Sequence, residues 1–422
     1  MNFREAESYL LSLGNEVTAM KLGLENITKL LAALGNPQYC YIKVQVAGTN
    51  GKGSVCAFLD SICLQAGIKT GRFTSPHLVS ITERVKIGGL DIGKEDFSRH
   101  ATRVRETSER LVAEGGLESI PTYFEQVTAI ALIAFAEAKI ELAILETGLG
   151  GRFDATTAAR SEIAAITQID YDHQQYLGDT IEEIAAEKAA IIRADSEAVI
   201  VGEQNPEAEK VILDRCRQLG VVPKLASQTP ASCVDRQVLF EGYGKVRLGL
   251  NGRHQIQNAR IAIQLAETLQ KHFPIGPEHI RRGLETARHP GRLEYIGNVL
   301  LDGAHNIAGA EALAAFLDEF EPRPVTMIFG TMGDKDVLKI AKILFPKAAN
   351  LILTTPENSR AVPAVKLSEF ALETKNVYIS ANSAEALRLA YGLAGDGIVL
   401  VTGSLYLVGE VRGLINKTVD NA

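Results

Sequence analysis

Two spacings of apolar residues alternate along most of this chain. Tyr41–Ala47 (YIKVQVA) is a short apolar run of the kind that forms a buried strand. Ser54–Ala66 (SVCAFLDSICLQA) repeats apolar positions at helical spacing until Gly67 stops it. The order continues with a strand-like piece at Gly71–Thr74, a buried helix at Val127–Ala138, and strands at Glu141–Glu146 (ELAILE) and Ile163–Ile169 (IAAITQI). Thr180, with Glu183 three residues on, has the capping-box pattern and opens a helix over Thr180–Ile192; a strand at Ala198–Val201 and a helix at Pro206–Leu219 follow. This alternation predicts a mainly parallel sheet covered by helices on both faces. Residues 221–253 break the rhythm with turns and short alternating runs (VLFEGYGKVRLGL), which predict a small antiparallel excursion. Helical spacing returns over Gln257–His272 and Glu278–Ala287, and the turn cluster His289–Arg292 marks a boundary. Beyond it the alternation restarts. Strands are expected at Val299–Asp302, Val325–Phe329, Asn350–Thr354, Val377–Ile379 and Ile398–Val401, with helices at Ala308–Phe320, Val337–Leu344, Ala364–Glu373 and Ala384–Leu393. The expected organisation is a first domain over 1–288, a linker over 289–297 and a smaller α/β domain over 298–422.

Composition keeps that picture and narrows the function classes. A chain of 422 residues, 46% hydrophobic and 23% charged, can bury a large core. Its formal net charge of −7 argues against a surface that tracks nucleic-acid phosphates. The longest apolar stretch, near Val127–Ala136, ends at Glu137 and is too short to span a bilayer. The start, MNFREAESYL, has no basic start followed by an apolar block, as a secretory leader would. Cys40, Cys56, Cys63, Cys216 and Cys233 form no C-x-x-C and read as small hydrophobes of a reducing compartment. The expectation is a cytoplasmic enzyme, monomeric, with neither nucleic acid nor membrane as partner.

Chemistry concentrates where the strands end. YIKVQVA runs into Gly48-Thr49-Asn50-Gly51-Lys52-Gly53-Ser54, which opens a helix. Glycines let the backbone approach a phosphate, a helix N-terminus favours negative charge, and Lys52 supplies a cation. The spacing departs from G-x-x-x-x-G-K-[ST], because Val46 stands five before Gly51 and Gly53 follows the lysine. ELAILE ends in Glu146, IAAITQI is followed by Asp170, Asp172 and His173, and Ser75 follows the strand-like piece at Gly71–Thr74. Three neighbouring strand ends can thus offer a carboxylate, an imidazole and a hydroxyl to one cation, and Mg²⁺ bridging phosphates fits the oxygen ligands. Taken alone, His173 reads equally as a loop histidine satisfied by its neighbours, and Lys188, beside Glu187 in a helix, as a solvated lysine.

Gly48–Ser54 resembles the phosphate loop of the folylpolyglutamate synthase and dihydrofolate synthase family, within the Mur ligase superfamily. The match continues in order through Thr74-Ser75-Pro76-His77, Thr122-Tyr123-Phe124-Glu125, Glu146–Thr156 (ETGLGGRFDAT), Asp172-His173, Glu187-Lys188-Ala189, His254-Gln255 with Asn258-Ala259, Pro290-Gly291-Arg292, Asp302–Asn306 (DGAHN), Asp334-Lys335-Asp336 and Gly403-Ser404-Leu405-Tyr406. The resemblance implies a phosphate-loop NTPase-like sheet first and a Rossmann-like α/β domain second. It implies that Asn50, Gly51, Lys52, Gly53, Ser54, Asn258, Arg292 and Asp302 bind ATP, between the domains, and that Ser75, Glu146 and His173 bind Mg²⁺. It implies a carbamylated Lys188 and a pterin pocket formed by Lys21, Leu22, Gly23, Leu24, Thr122, Tyr123, Phe124, Glu125, Phe153, Asp154 and Ala155. Three positions depart from the family pattern: Thr157 where Asn is common, Ala190 where Gly is common, and Ile307 where Pro is frequent.

The implied reaction is ATP-dependent ligation of L-glutamate to dihydropteroate, to a reduced folate, or to both, through an acyl phosphate. Lys52 and Mg²⁺ would offset charge on the phosphoryl group, and His305 is the candidate base. A monovalent cation is admitted as a further ion. The alternatives are a monofunctional folylpolyglutamate synthase, another Mur-type amino-acid ligase, and a phosphate-loop binding module without chemistry. The last leaves the second α/β domain without a use.

Overall fold

The computed structural model describes residues 1–14, 23–234, 237–371 and 374–420. They form two compact units. The first takes Met1–His77, Ile81–Gly249 and Ile256–Arg288; the second takes Leu78–Ser80, Leu250–Gln255 and His289–Ala422.

The first unit is built on β1 (Ile42–Ala47), β2 (Thr70–Phe73), β3 (Val85–Ile87), β4 (Leu90–Asp91), β5 (Leu142–Glu146), β6 (Ile163–Ile166), β7 (Ala198–Val201) and β8 (Lys224–Leu225), in the spatial order β4-β3-β2-β5-β1-β6-β7-β8. From β2 to β8 every pairing is parallel; β3 and β4 close one edge antiparallel. The register sets Val46 opposite Glu146 and Ala47 opposite Ile166. The strand end that opens the phosphate loop therefore lies between the ends of β5 and β6. On one face Phe73, Ala143 and Leu145 pack with Val127, Ile130 and Ala131 of helix Tyr123–Glu137. Ala47, Ala164 and Ile166 pack with Ile181, Ile184 and Ala185 of helix Ile181–Ala189. Helix Lys52–Gln65 is tied to β2 by Asp60, which accepts from Thr70 Oγ1 at 2.5 Å and lies 3.3 Å from the Arg72 guanidinium.

The antiparallel excursion consists of β9 (Ala231–Val234), β10 (Gln237–Phe240) and β11 (Gly244–Val246). The second unit carries β12 (Glu294–Ile296), β13 (Val299–Leu301), β14 (Val325–Phe329), β15 (Asn350–Leu353), β16 (Val377–Ile379) and β17 (Ile398–Thr402), ordered β12-β13-β17-β14-β15-β16. Only β12 runs antiparallel to its neighbour. Its apolar clusters lie on the two faces of this sheet, one around Met327, Phe329 and Leu353, the other around Ile328, Val399 and Val401.

The hydrophobic pattern gives no expectation for helices Phe3–Ser12, Glu25–Ala33 and Lys94–Ala113, which the fold contains. The last is rich in charge and buries Phe97, Ser98, His100, Ala101, Val104 and Ser108. The helix expected from Val127 starts earlier, at Tyr123, because Thr122 and Glu125 cap it. The helix expected over Ala364–Glu373 is α-helical only over Ala364–Leu367, with a 3₁₀ turn at Ser368–Phe370; Glu373 lies outside the described residues. Among the described residues no helix is long and apolar enough to cross a membrane, and all five cysteines are free thiols.

Candidate active site

Glycine is required at two points of the phosphate loop. Gly48 has φ +148°, and a Cβ there would fall 1.9 Å from Thr167 Oγ1. Gly51 has φ +89°, stands at the N-cap of helix Lys52–Gln65, and its Cβ would meet Asn258 Oδ1 at 2.2 Å. The structure thus brings Asn258 against the loop. Thr49 and Asn50 donate their N–H groups to Gln168 O at 2.9 and 3.2 Å, and Thr49 Oγ1 bridges to the backbone of Asp170 at 3.0 Å. These bonds anchor the first half of the loop; the second half is the start of a helix, whose first N–H groups have no partner within the helix. Ser54 is buried in the first turn. Lys52 Nζ folds back to donate to Gly48 O at 3.0 Å and Thr49 O at 3.2 Å.

Lys188 is not solvated. It is 4% exposed and its Nζ also donates to Gly48 O, at 3.0 Å. Burial and, next, the neighbouring Lys52 charge bring its pKa down to about 7, against the opposing pull of Asp172 and Asp154. Near neutrality this amine exists partly as free base, which an ordinary lysine does not.

Glu146 ends β5 and its Oε2 accepts the Ser75 N–H at 3.2 Å. His173 sits at the N-cap of helix Gln174–Leu177 with φ +52°; its N–H donates to Asp172 Oδ1 at 2.9 Å, and its Nε2 lies 3.8 Å from Asp172 Oδ2. The structure therefore pairs Ser75 with Glu146 and His173 with Asp172. Among the described residues no group of three or more His, Cys, Asp or Glu is placed to hold a metal ion. A carboxylate, a hydroxyl and an imidazole at these strand ends leave coordination positions for water and phosphate oxygens, a donor set that suits Mg²⁺.

The residues assigned to the pterin pocket divide by what they touch. Lys21 and Leu22 lie outside the described residues. Gly23 has φ +152° and Leu24 is the N-cap of helix Glu25–Ala33. Thr122 and Glu125 cap helix Tyr123–Glu137 reciprocally: Thr122 N–H donates to Glu125 Oε2 at 2.7 Å and Glu125 N–H to Thr122 Oγ1 at 3.4 Å. Tyr123 is buried with the Arg84 guanidinium 5.5 Å from its ring centre. Phe124 packs on Phe73, centroids 5.8 Å apart, and lies under Gly148, whose Cβ would meet the ring at 2.5 Å. The Asp154 carboxylate is engaged by its own loop. Its Oδ2 accepts Gly148 and Leu149 N–H, each at 2.9 Å, and its Oδ1 accepts Thr156 N–H at 3.0 Å. Ala155 is buried, whereas Phe153 is 44% exposed.

In the second unit Asp302 follows β13, with Oδ2 accepting Leu293 N–H at 2.9 Å and Oδ1 accepting Ala304 N–H at 3.0 Å. Burial pushes its pKa up, opposed by Arg292. A Cβ on Gly303 would come 3.2 Å from the Arg292 guanidinium. His305 Nδ1 donates to Gly303 O at 2.7 Å, so its Nε2 is the basic nitrogen.

Three residues of this region carry no expectation from the sequence. Gln45 and Arg84 are buried beside the pocket segments. His77 has its Nδ1 accepting from Arg84 Nε at 2.8 Å, and burial followed by the Arg84 charge takes its pKa down to about 3, so it is neutral. Gln45, a polar residue inside an apolar strand, was a readable signal, and His77 stands in the Thr74–His77 motif without a role attached to it.

The model of the Mur ligase middle domain matches residues 46–266, and that of the Mur ligase, glutamate ligase domain matches 291–405. The chain belongs to the Mur ligase family and forms C–N bonds. The Bacillus subtilis dihydrofolate synthase/folylpolyglutamate synthase is 34% identical over 97% of this chain and 98% of its own length. Escherichia coli FolC, solved in complex with DHPP and ADP, superposes with a TM-score of 0.87 at 30% identity over 98% of each chain. A probable bifunctional folylpolyglutamate synthase/dihydropteroate synthase of Haloferax volcanii is 35% identical over 98% of this chain, which spans 50% of that protein's length. Within the Mur ligases, this chain is a member of the folylpolyglutamate synthase and dihydrofolate synthase group.

Proposed function

We propose that this ligase joins the amino group of L-glutamate to the carboxyl group of dihydropteroate and of reduced folates, converting ATP to ADP and phosphate. A carboxylate forms an amide only after its oxygen becomes a leaving group. Transfer of the γ-phosphoryl group gives an acyl phosphate. The amine then attacks the acyl carbon, the C–N bond forms, the C–O bond breaks, phosphate leaves with the electron pair, and the amine loses a proton.

Lys52 at the helix start offsets charge on the transferring phosphoryl group. Asn50, Gly51, Gly53, Ser54 and Asn258 are the nucleotide residues of the first unit, and Arg292 and Asp302 those of the second. His305 Nε2 takes the proton of the amine. Ser75, Glu146 and His173 would hold Mg²⁺, which neutralises phosphate charge when bound; a monovalent cation is the further ion. Lys188 as free base forms a C–N bond to CO₂ and releases one proton, so that a neutral buried amine becomes a carbamate anion. Gly23, Leu24, Phe124, Phe153 and the Asp154 loop shape the pocket for the pterin-bearing acid. The enzyme works as a monomer in the cytoplasm, without nucleic acid or membrane.

One observation carries this reading: Lys52 and the buried Lys188 meet at the Gly48 carbonyl, at 3.0 Å each, in a loop flanked by the ends of β5 and β6. The test is glutamate-dependent ADP release with dihydropteroate, with a reduced folate and with a UDP-linked peptide. Turnover of both pterin acids is expected. Turnover of one alone reduces the enzyme to a monofunctional type, and turnover of the peptide alone assigns it to another Mur reaction.

A further inference from the structure

The loop that follows β5 is suspended from β1 by a side chain with no part in the reaction above. Gln45 is 2% exposed, and its Nε2 lies 2.8 Å from Thr157 Oγ1, 2.9 Å from Thr156 Oγ1 and 3.2 Å from Thr147 Oγ1. The direction of these bonds follows from what the hydroxyls do elsewhere. Thr156 Oγ1 donates to Asp154 Oδ1 at 2.5 Å, and Thr157 Oγ1 donates to Gly151 O at 2.8 Å. A hydroxyl has one proton, so at Gln45 both threonines can only accept. An amide NH₂ has two protons and meets both. A carboxylate of the same size has none, and a hydrocarbon of the same size leaves buried acceptors unpaired.

The consequence reaches the pocket through Asp154. Thr156 fixes one oxygen of that carboxylate, and the other gathers the N–H groups of Gly148 and Leu149. Thr157 fixes the Gly151 carbonyl in the same loop. The course of β1 itself is held by its ladders to β5 and β6, so the phosphate loop does not depend on the Gln45 side chain.

We propose that Gln45 is a positioning residue for the acid substrate: through Thr156, Thr157 and Asp154 it sets the shape of the 147–157 loop, and with it the affinity for the pterin-bearing acid. The proposal deepens the functional reading above and rests on it. Gln45→Glu keeps the volume and exchanges donor for acceptor. Thr157→Val removes one acceptor from the network, and Thr157→Ser retains it. In Gln45→Glu and Thr157→Val the KM for dihydropteroate is expected to rise about tenfold, the scale of one buried polar group left unpaired. The KM for ATP should stay within about twofold, and Thr157→Ser should behave as the parent. An unchanged acid KM in folded variants overturns the proposal. So do acid and ATP constants that rise together in step with a lower Tm. If Gln45→Glu fails to fold, the Thr157 pair makes the same comparison. If the parent enzyme turns over neither pterin acid, the functional reading fails by itself. Hydrogen exchange at the Gly148, Leu149 and Thr156 amides then decides the positioning role: faster exchange in Thr157→Val than in Thr157→Ser supports it, and equal exchange overturns it.

Discussion

Two ammonium groups at one carbonyl oxygen repel, and the first unit resolves the conflict by keeping one of them near neutrality. Lys52 stays at the helix start, where the proposed reaction places the phosphoryl group. Replacing it by Ala is expected to lower kcat by about 10²–10³-fold, the range for loss of one preorganised charge-stabilising group, with an unchanged Tm. Stopped or continuous ADP release measures it. Lys188 carries a pH signature. Its pKa is about 7 in the folded state against 10.5 for the unperturbed side chain. Between those values the unfolded chain binds more protons, so the group's contribution is complete above pH 10.5 and is lost as pH falls through about 7. In CO₂-free buffer the Tm of the parent should therefore gain on that of Lys188→Met as pH rises across this window; parallel Tm curves would contradict it. That lysine illustrates what residue types hide. In IEEIAAEKAAII it stands next to Glu187 as a surface lysine would, and only packing beneath Gly48 reveals the buried amine. Asp154 shows the opposite limit: the DAT motif marks its importance, while its acceptance of three backbone N–H groups is a matter of loop geometry.

At the scale of elements, helix Lys52–Gln65 is held from behind by helix Pro277–Thr286 at a point with no room for a side chain. A Cβ on Gly283 would lie 2.4 Å from Ile62 Cα and 2.6 Å from its backbone nitrogen. Gly283→Ala must push the two helices apart, at a cost of about 1–3 kcal/mol typical of overpacking. It should lower the Tm and, because the displaced helix begins in the phosphate loop, raise the KM for ATP. Thermal denaturation and ATP titration on the same sample separate this from a surface effect, which would move neither. The strands around the loop were legible because parallel strands covered on both faces read as apolar runs. Lys94–Ala113 was not, because its buried apolar residues Phe97, Ala101 and Val104 are diluted by arginine and glutamate.

For the whole molecule the substrates are anions and the chain has a formal net charge of −7. Attraction must then come from local groups rather than from the overall field. Dihydropteroate presents its carboxyl at the benzoyl ring, whereas a folate presents one further out on a glutamyl group. If both acids reach the same phosphoryl group, each must exclude the other. Dihydropteroate and a reduced folate are expected to inhibit one another's turnover competitively; independent, additive rates in a mixed-substrate assay would refute a shared centre.

The second unit is not one uninterrupted length of chain. Leu78–Ser80 and Leu250–Gln255 belong to it, although residues of the first unit flank both segments. The Leu78 segment is seated so closely that a Cβ on Gly409 would fall 2.0 Å from its carbonyl oxygen. Heredity inherits that stitching. A recombination event at His289 transfers most of the second unit to a new gene but strands two of its pieces behind, so this half cannot be traded between relatives as a free-standing cassette. Position 409 is meanwhile held to glycine whatever side chain stands at 78, because the atoms a Cβ would meet there are backbone.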